Sequence, residues 1–167
     1  MLTALDIPDE ALDDGERNVI AGIREYGWFR HSIFGDEDGP GFSYTTGFWV
    51  TAAFPEIIVF SLKSDIIHDI LWEVFRNVKA GKPPAMGVAT SDIFVNLPAM
   101  LLPVSKRFYA DYLGWDRWFH AGDDFPCLQL VWPDREGVFP WQNGFDETFR
   151  DDQPDLTDNG WTAALAN

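Results

Sequence analysis

The chain has 167 residues, 46% of them hydrophobic and 16% aromatic, including eight Trp and fourteen Phe. A single domain of this length buries roughly 70% of the surface that its unfolded chain exposes, and the composition excludes a disordered chain. Twenty-seven acidic residues against twelve basic ones leave a net charge of −15, a surface that repels phosphate backbones and anionic lipid and so argues against nucleic-acid and membrane partners.

The first residues, Met1 to Glu10, are acidic and lack the basic start of a secretory signal. No stretch reaches the roughly 18 apolar residues of a membrane span, so the expected compartment is the cytoplasm. Residues 1–167 read as one domain, with 1–15 and 156–167 as peripheral acidic tails. Ile20 and Ile23 make a short helical stripe that stops at Gly27, a good residue to follow a helix end. Trp28 to Phe34 alternates as a strand, with Phe29, His31 and Ile33 on one face. The turn-rich run Gly35 to Gly41 pairs it as a hairpin with Phe42–Thr51.

Glu56–Leu62 is a near-continuous apolar run after Pro55, short and β-branched, which favours a buried strand. Ser64 is a good N-cap and Asp65 suits the first turn of a helix. Ile67, Ile70, Leu71, Val74, Phe75 and Val78 then recur at helical spacing until Gly81 and the Pro83-Pro84 pair. Met86–Thr90, Ile93–Leu97 and Leu101–Val104 read as short strands, Ser105–Tyr112 as a short helix and Gly114–His120 as an aromatic turn. Phe125–Trp132 is the last strong strand, and the acidic tail beyond it is expected to wrap the surface and dock Trp161. Strands outnumber helices and lie mostly at hairpin distances. This implies an α+β fold with a mainly antiparallel sheet, open or closed into a barrel, and one long amphipathic helix.

The chain lacks a phosphate-binding Gly-rich loop, a Gly-x-Ser-x-Gly motif and any paired-cysteine zinc motif. Cys127 is the single cysteine, so no internal disulfide can form, and its apolar setting reads as a small buried hydrophobe. His31, His68 and His120 share no ligand spacing, so no metal site is expected, although the carboxylates leave one open. His31 reads as a core histidine and His68 as a surface one. A hydrolase using Asp134 or His31 is a third reading with nothing positive to support it, and no catalytic residue stands out.

Four groups carry possible binding chemistry. Ser43, Tyr44, Thr45 and Thr46 form a hydroxyl run that suits a strand, or the edge and phosphate of a ligand. Lys63 and Ser64 sit where a strand meets a helix, either as a plain cap or as an anion site. Asn96 lies in an apolar run and either caps a turn or faces a ligand. Gln129, in the last strand, lines a pocket mouth with Trp132 and Arg135, or else Asp134 and Arg135 only make a turn and a local ion pair.

The order Tyr26-Gly-Trp28, Phe42-Ser-Tyr-Thr-Thr-Gly47, Pro55-Glu-Ile-Ile-Val-Phe60, Gln129-Leu-Val-Trp-Pro-Asp-Arg135 and Phe139-Pro-Trp141 resembles a bacterial family catalogued as domain of unknown function 4262. The resemblance covers about residues 16 to 156 and implies a small, soluble bacterial protein with no stated reaction. A weaker likeness, to flavin-reductase-type split barrels, rests on Gly41 through Leu62 and on the order of Val95-Asn96, Ser105–Tyr112 and Pro126–Val131. It implies a split-barrel-like core, FMN as cofactor, Thr45 and Thr46 on the flavin-holding strand, Lys63 near the phosphate and a homodimer. The bulky Tyr44 and Phe48-Trp49 depart from that pattern. The expected function is therefore binding of a small aromatic ligand, FMN first, with Ser64 supporting the phosphate and Trp132 walling the pocket, and with possible flavin-dependent oxidoreduction. The rival is a non-catalytic acidic binding or immunity protein that neutralises a basic protein partner.

Overall fold

The computed structural model describes residues 2–166. Its centre is a five-stranded sheet in the order β1-β2-β3-β5-β4, formed by β1 (Phe29–Ile33), β2 (Phe42–Thr46), β3 (Glu56–Phe60), β4 (Met100–Pro103) and β5 (Cys127–Val131). β1 and β2 form the hairpin, with His31 opposite Tyr44. β2 runs antiparallel to β3, and β4 antiparallel to β5. β3 and β5 are parallel, with Glu56 opposite Cys127. The fold is mixed α+β and mostly antiparallel. The sheet is open, with β1 and β4 at its edges, which replaces the expected split-barrel core with an open one.

Helices cover both faces, as an α+β sheet needs when neither face is polar. The helix α3 (Ser64–Lys79) buries Ile67, Ile70, Leu71, Val74 and Phe75, spaced so that they share one side. They pack on Ile57, Val59, Leu101, Leu128 and Leu130. The opposite face of the sheet presents Tyr44, Ile58, Phe60 and Cys127 to Tyr109 and Leu113, which belong to α4 (Tyr109–Tyr112) and its junction with α5 (Gly114–His120). A further helix, α1 (Asp14–Tyr26), closes a smaller cluster of Ala4, Leu12, Val19, Ile20, Ile23 and Phe119.

Several expected boundaries move, each for a local reason. The second strand stops at Thr46 instead of running to Thr51. Gly47 takes φ 120°, where an added Cβ would lie 2.6 Å from the Gly27 carbonyl oxygen, and a short helix α2 (Phe48–Ala52) follows. Residues 86–97 do not form strands: only Thr90 bridges to Ala99, and Asp92 turns back on the Thr90 hydroxyl. Gly114–His120 is a helix rather than a turn. The cap residue of α3 is Lys63, and its side chain makes no capping bond.

Both tails are tied to the domain, and the C-terminal one docks Trp161 as expected. Thr3 and Asp13 each form a reciprocal capping box, and Ala4 and Leu12 are buried. Leu156 is buried, and Trp161 packs beside Trp141 with ring centroids 5.7 Å apart. Among the described residues no helix is long and apolar enough to cross a membrane.

Candidate functional site: a buried acid–histidine centre and an aromatic cleft

Glu56 opens β3 on the face that meets α5, and it is fully buried. Its carboxylate accepts the backbone N–H of Gly47 (3.1 Å), Phe48 (3.0 Å) and Trp49 (3.2 Å), together with the Thr45 hydroxyl (2.8 Å). Glu56 therefore serves as the N-cap of α2 from a neighbouring strand, a task that Gly47 has no side chain to perform. The hydroxyl of Thr45 also accepts from the N–H of Ile57 at 3.0 Å, which locks the end of β2 onto β3.

Asp116 and His120 lie four residues apart on α5, a spacing that sets both side chains on one side of a helix. His120 Nε2 reaches Glu56 Oε2 at 3.4 Å, and donor atoms of Glu56, Asp116 and His120 all lie within 4.8 Å of one another. The Thr46 hydroxyl is hydrogen-bonded to Asp116 Oδ1 and lies 2.8 Å from His31 Nε2. The result is a continuous polar chain from His31 through Thr46 to Asp116, with Glu56 and His120 at its end. Burial, reinforced by the neighbouring Glu56 charge, raises the Asp116 carboxyl well above the usual carboxylate range. Burial lowers His31 to about 3 and keeps it neutral. His31 is thus a core histidine, enclosed by Phe29, Tyr44 and Trp115. Two atoms of the centre, Asp116 Oδ2 and His120 Nδ1, are buried with no hydrogen-bond partner.

The hydroxyls of Thr45 and Thr46 suit either a strand or a ligand. The structure brings both together with Glu56, Asp116 and His31, but wholly buried and with their hydroxyls engaged internally. Tyr44 is buried too, its hydroxyl accepting the N–H of Trp115 at 3.0 Å. Gln129 holds the C-terminal segment: its Nε2 donates to the Pro154 carbonyl at 2.8 Å. Trp132 is an anchor, with Nε1 donating to the Phe60 carbonyl at 2.8 Å. Asn96 is exposed. Arg135 is exposed over the ring of Phe149 at 5.9 Å. Among the described residues it forms no ion pair with Asp134, whose carboxylate instead accepts the N–H groups of Glu136, Val138 and Asp146, bonds that hold it below its ordinary range. Cys127 is buried, and that burial pushes its thiol up, which leaves it inert as a nucleophile.

Glu56, Asp116 and His120 are functional candidates that sequence reasoning missed. The available signal was the Asp116-x-x-x-His120 spacing, hidden while the segment was read as a turn.

Lys63 and Ser64 lie on the other side of the sheet's hairpin, at the exposed start of α3. Arg30 grips this point: Nη1 donates to the Ser64 carbonyl at 2.8 Å and Nη2 lies 3.0 Å from the Ser64 hydroxyl. Arg30 lines two surface clefts of about 620 Å³ each. One lies between α1, β1 and α3 and is walled by Tyr26, Trp28, Phe29, His68 and Trp72. Trp72 meets Trp28 and Tyr26 edge to face at 5.1 and 6.0 Å. The other runs along the hairpin, with Ser32, Ser43, Ser61 and Ser64 on its walls. Among the described residues Arg30 has no carboxylate within ion-pair distance, although Glu25 lines the first cleft and Asp152 the second.

No curated protein and no solved structure matches the chain. Residues 22–146 match the family model described as Domain of unknown function (DUF4262), a span that holds β1 to β5, Arg30, Trp72 and the whole Glu56–Asp116–His120 centre. With well over half of its 167 residues matched, the chain belongs to the DUF4262 family.

Proposed function

We propose that this protein binds a flat aromatic ligand carrying an anionic group, and that the ligand lies in the cleft between α1, β1 and α3. The observation that carries the reading is the pairing, in one open cleft, of an aromatic wall (Tyr26, Phe29 and Trp72) with Arg30, a cation that among the described residues has no carboxylate partner, on a chain of charge −15. Flat rings gain from stacking and edge contacts with such a wall, and a guanidinium fixed by Ser64 is preorganised for an anion. The serine-lined cleft on the other side of Arg30 extends the polar end. FMN has the required chemistry, a planar ring system joined to a phosphate. When bound it would supply hydride transfer, and the chain's part would be to hold and orient it. Thr45 and Thr46 take no part in this reading, because their hydroxyls are committed to the interior.

The test is a titration of the intrinsic fluorescence with FMN, after an absorbance spectrum of protein purified without added cofactor. Micromolar quenching is expected, weakened about tenfold (1.4 kcal/mol) in Trp72→Ala and in Arg30→Ala. No quenching at millimolar FMN, or equal quenching in wild type and both variants, would sink the reading.

A second reading rests on the charge of −15 alone, which suits capture of a basic protein partner. Such an association would be steered electrostatically, and its on-rate would fall steeply with salt.

A further inference from the structure

We propose that Glu56, Asp116 and His120 bind a divalent cation of the zinc class inside the protein, at a site separate from the aromatic cleft. The donor set is one imidazole and two carboxylates on two rigid elements, the start of β3 and one side of α5. This mixture of nitrogen and oxygen donors suits zinc and its borderline neighbours better than calcium, which takes six to eight oxygens.

The distances favour an ion over a direct hydrogen bond. His120 Nε2 and Glu56 Oε2 stand 3.4 Å apart. A charge-assisted bond between such groups closes to about 2.7–2.9 Å. Two ligand atoms each about 2.1 Å from a tetrahedral ion are held about 3.4 Å apart by that geometry. The wider limit of 4.8 Å for the whole set leaves Asp116 a small adjustment from its place on α5.

Independent support comes from an unsatisfied atom: Asp116 Oδ2 is buried with no hydrogen-bond partner, and an ion held by His120 Nε2 and Glu56 would give it one. Native interiors seldom leave such groups without protein, water or ion. The charges agree with this: two carboxylates share the pocket, and among the described residues neither has a lysine or arginine within ion-pair distance. A dication balances both.

The surroundings resemble the supporting layer of a metal site, in which ligating carboxylates are themselves hydrogen-bonded. Glu56 is fixed by three backbone N–H groups and Thr45, and Asp116 Oδ1 by Thr46. A surface depression formed by Trp49, Lys106, Asp124, Phe125 and Pro126 lies against the centre: the Trp49 N–H bonds Glu56, and the Phe125 ring stacks on His120 at 4.5 Å.

The probe is zinc alone, added to full-length protein stripped with chelator. Expected are saturation near one equivalent, a rise in the thermal midpoint of roughly 5–10 °C at a hundredfold excess over Kd, and a large shift of a His120 ring nitrogen in 15N NMR of the wild type. Asp116→Asn should abolish the thermal rise, whereas His68→Gln, at an exposed histidine, should keep it. An unmoved thermal midpoint with an unmoved His120 resonance would overturn the site and leave a proton-sharing hydrogen-bond centre. Undiminished zinc binding by folded Asp116→Asn would overturn it equally. If Asp116→Asn does not fold, the wild-type His120 resonance decides alone. None of these outcomes bears on FMN binding at Arg30 and Trp72, so the two readings fail separately.

Discussion

At the scale of single residues, Glu56 carries the most. Each of its oxygens accepts two hydrogen bonds, Oε1 from the Thr45 hydroxyl and the Phe48 N–H, Oε2 from the Gly47 and Trp49 N–H groups. Glu56→Gln turns one oxygen into an NH2 that must face those donors. The expected loss is about 3 kcal/mol in urea denaturation, since buried donors left unpaired cost roughly 1–3 kcal/mol each. A loss below about 1 kcal/mol would show that the cap on α2 is dispensable. His31 makes a second prediction. In the folded protein it stays neutral down to about 3, against 6.5 for a free imidazole. The unfolded chain therefore binds the extra proton first, and His31 withdraws stability as pH falls from about 6.5 towards 3. The groups facing it are the rings of Phe29, Tyr44 and Trp115 and the Thr46 hydroxyl. His31→Gln should flatten that part of the pH–stability curve measured by chemical denaturation; an unchanged slope would contradict the assignment. The residue types of the hydroxyl run were legible as strand formers, but their partners were not. Thr46 meets Asp116 across 70 positions and Glu56 meets His120 across 64, and no local pattern announces such contacts.

At the scale of elements, periodicity was readable where packing is one-sided. The 3.6-residue spacing of Ile67, Ile70, Leu71, Val74 and Phe75 matches the buried side of α3, and the hairpin of β1 and β2 follows from alternation around a Gly-rich turn. Leu71 is wholly buried between α3 and the sheet, so Leu71→Ala should cost about 3 kcal/mol by transfer plus cavity terms, read in the same denaturation assay. A cost under about 1 kcal/mol would mean that α3 repacks freely on the sheet. Periodicity failed where another interaction decides. Residues 86–97 carry strand-like residues, yet Val95 is almost fully exposed, and apart from the single Thr90–Ala99 bridge the segment forms no strand pairing. Gly114 hid the start of α5, and with it the shared side of Asp116 and His120.

At the scale of the molecule, composition and strand count were enough to read a mixed α+β domain, but not its one parallel pair. β3 finds β5 only after the chain has passed through α3, β4, α4 and α5, a connection whose end is set by tertiary packing. That pair sits inside an open sheet whose two faces do different work. One face packs α3, whose outer residues with α1 and β1 shape the cleft at Trp72 and Arg30. The other packs α5 over the acid–histidine centre. The most direct test of the binding reading maps FMN by 15N–1H NMR on the full chain. The account predicts shifts concentrated at the backbone N–H groups of Gly22, Phe29 and Arg30 and at the indole of Trp72. No shifts at millimolar FMN, or shifts confined to surfaces away from these residues, would contradict it.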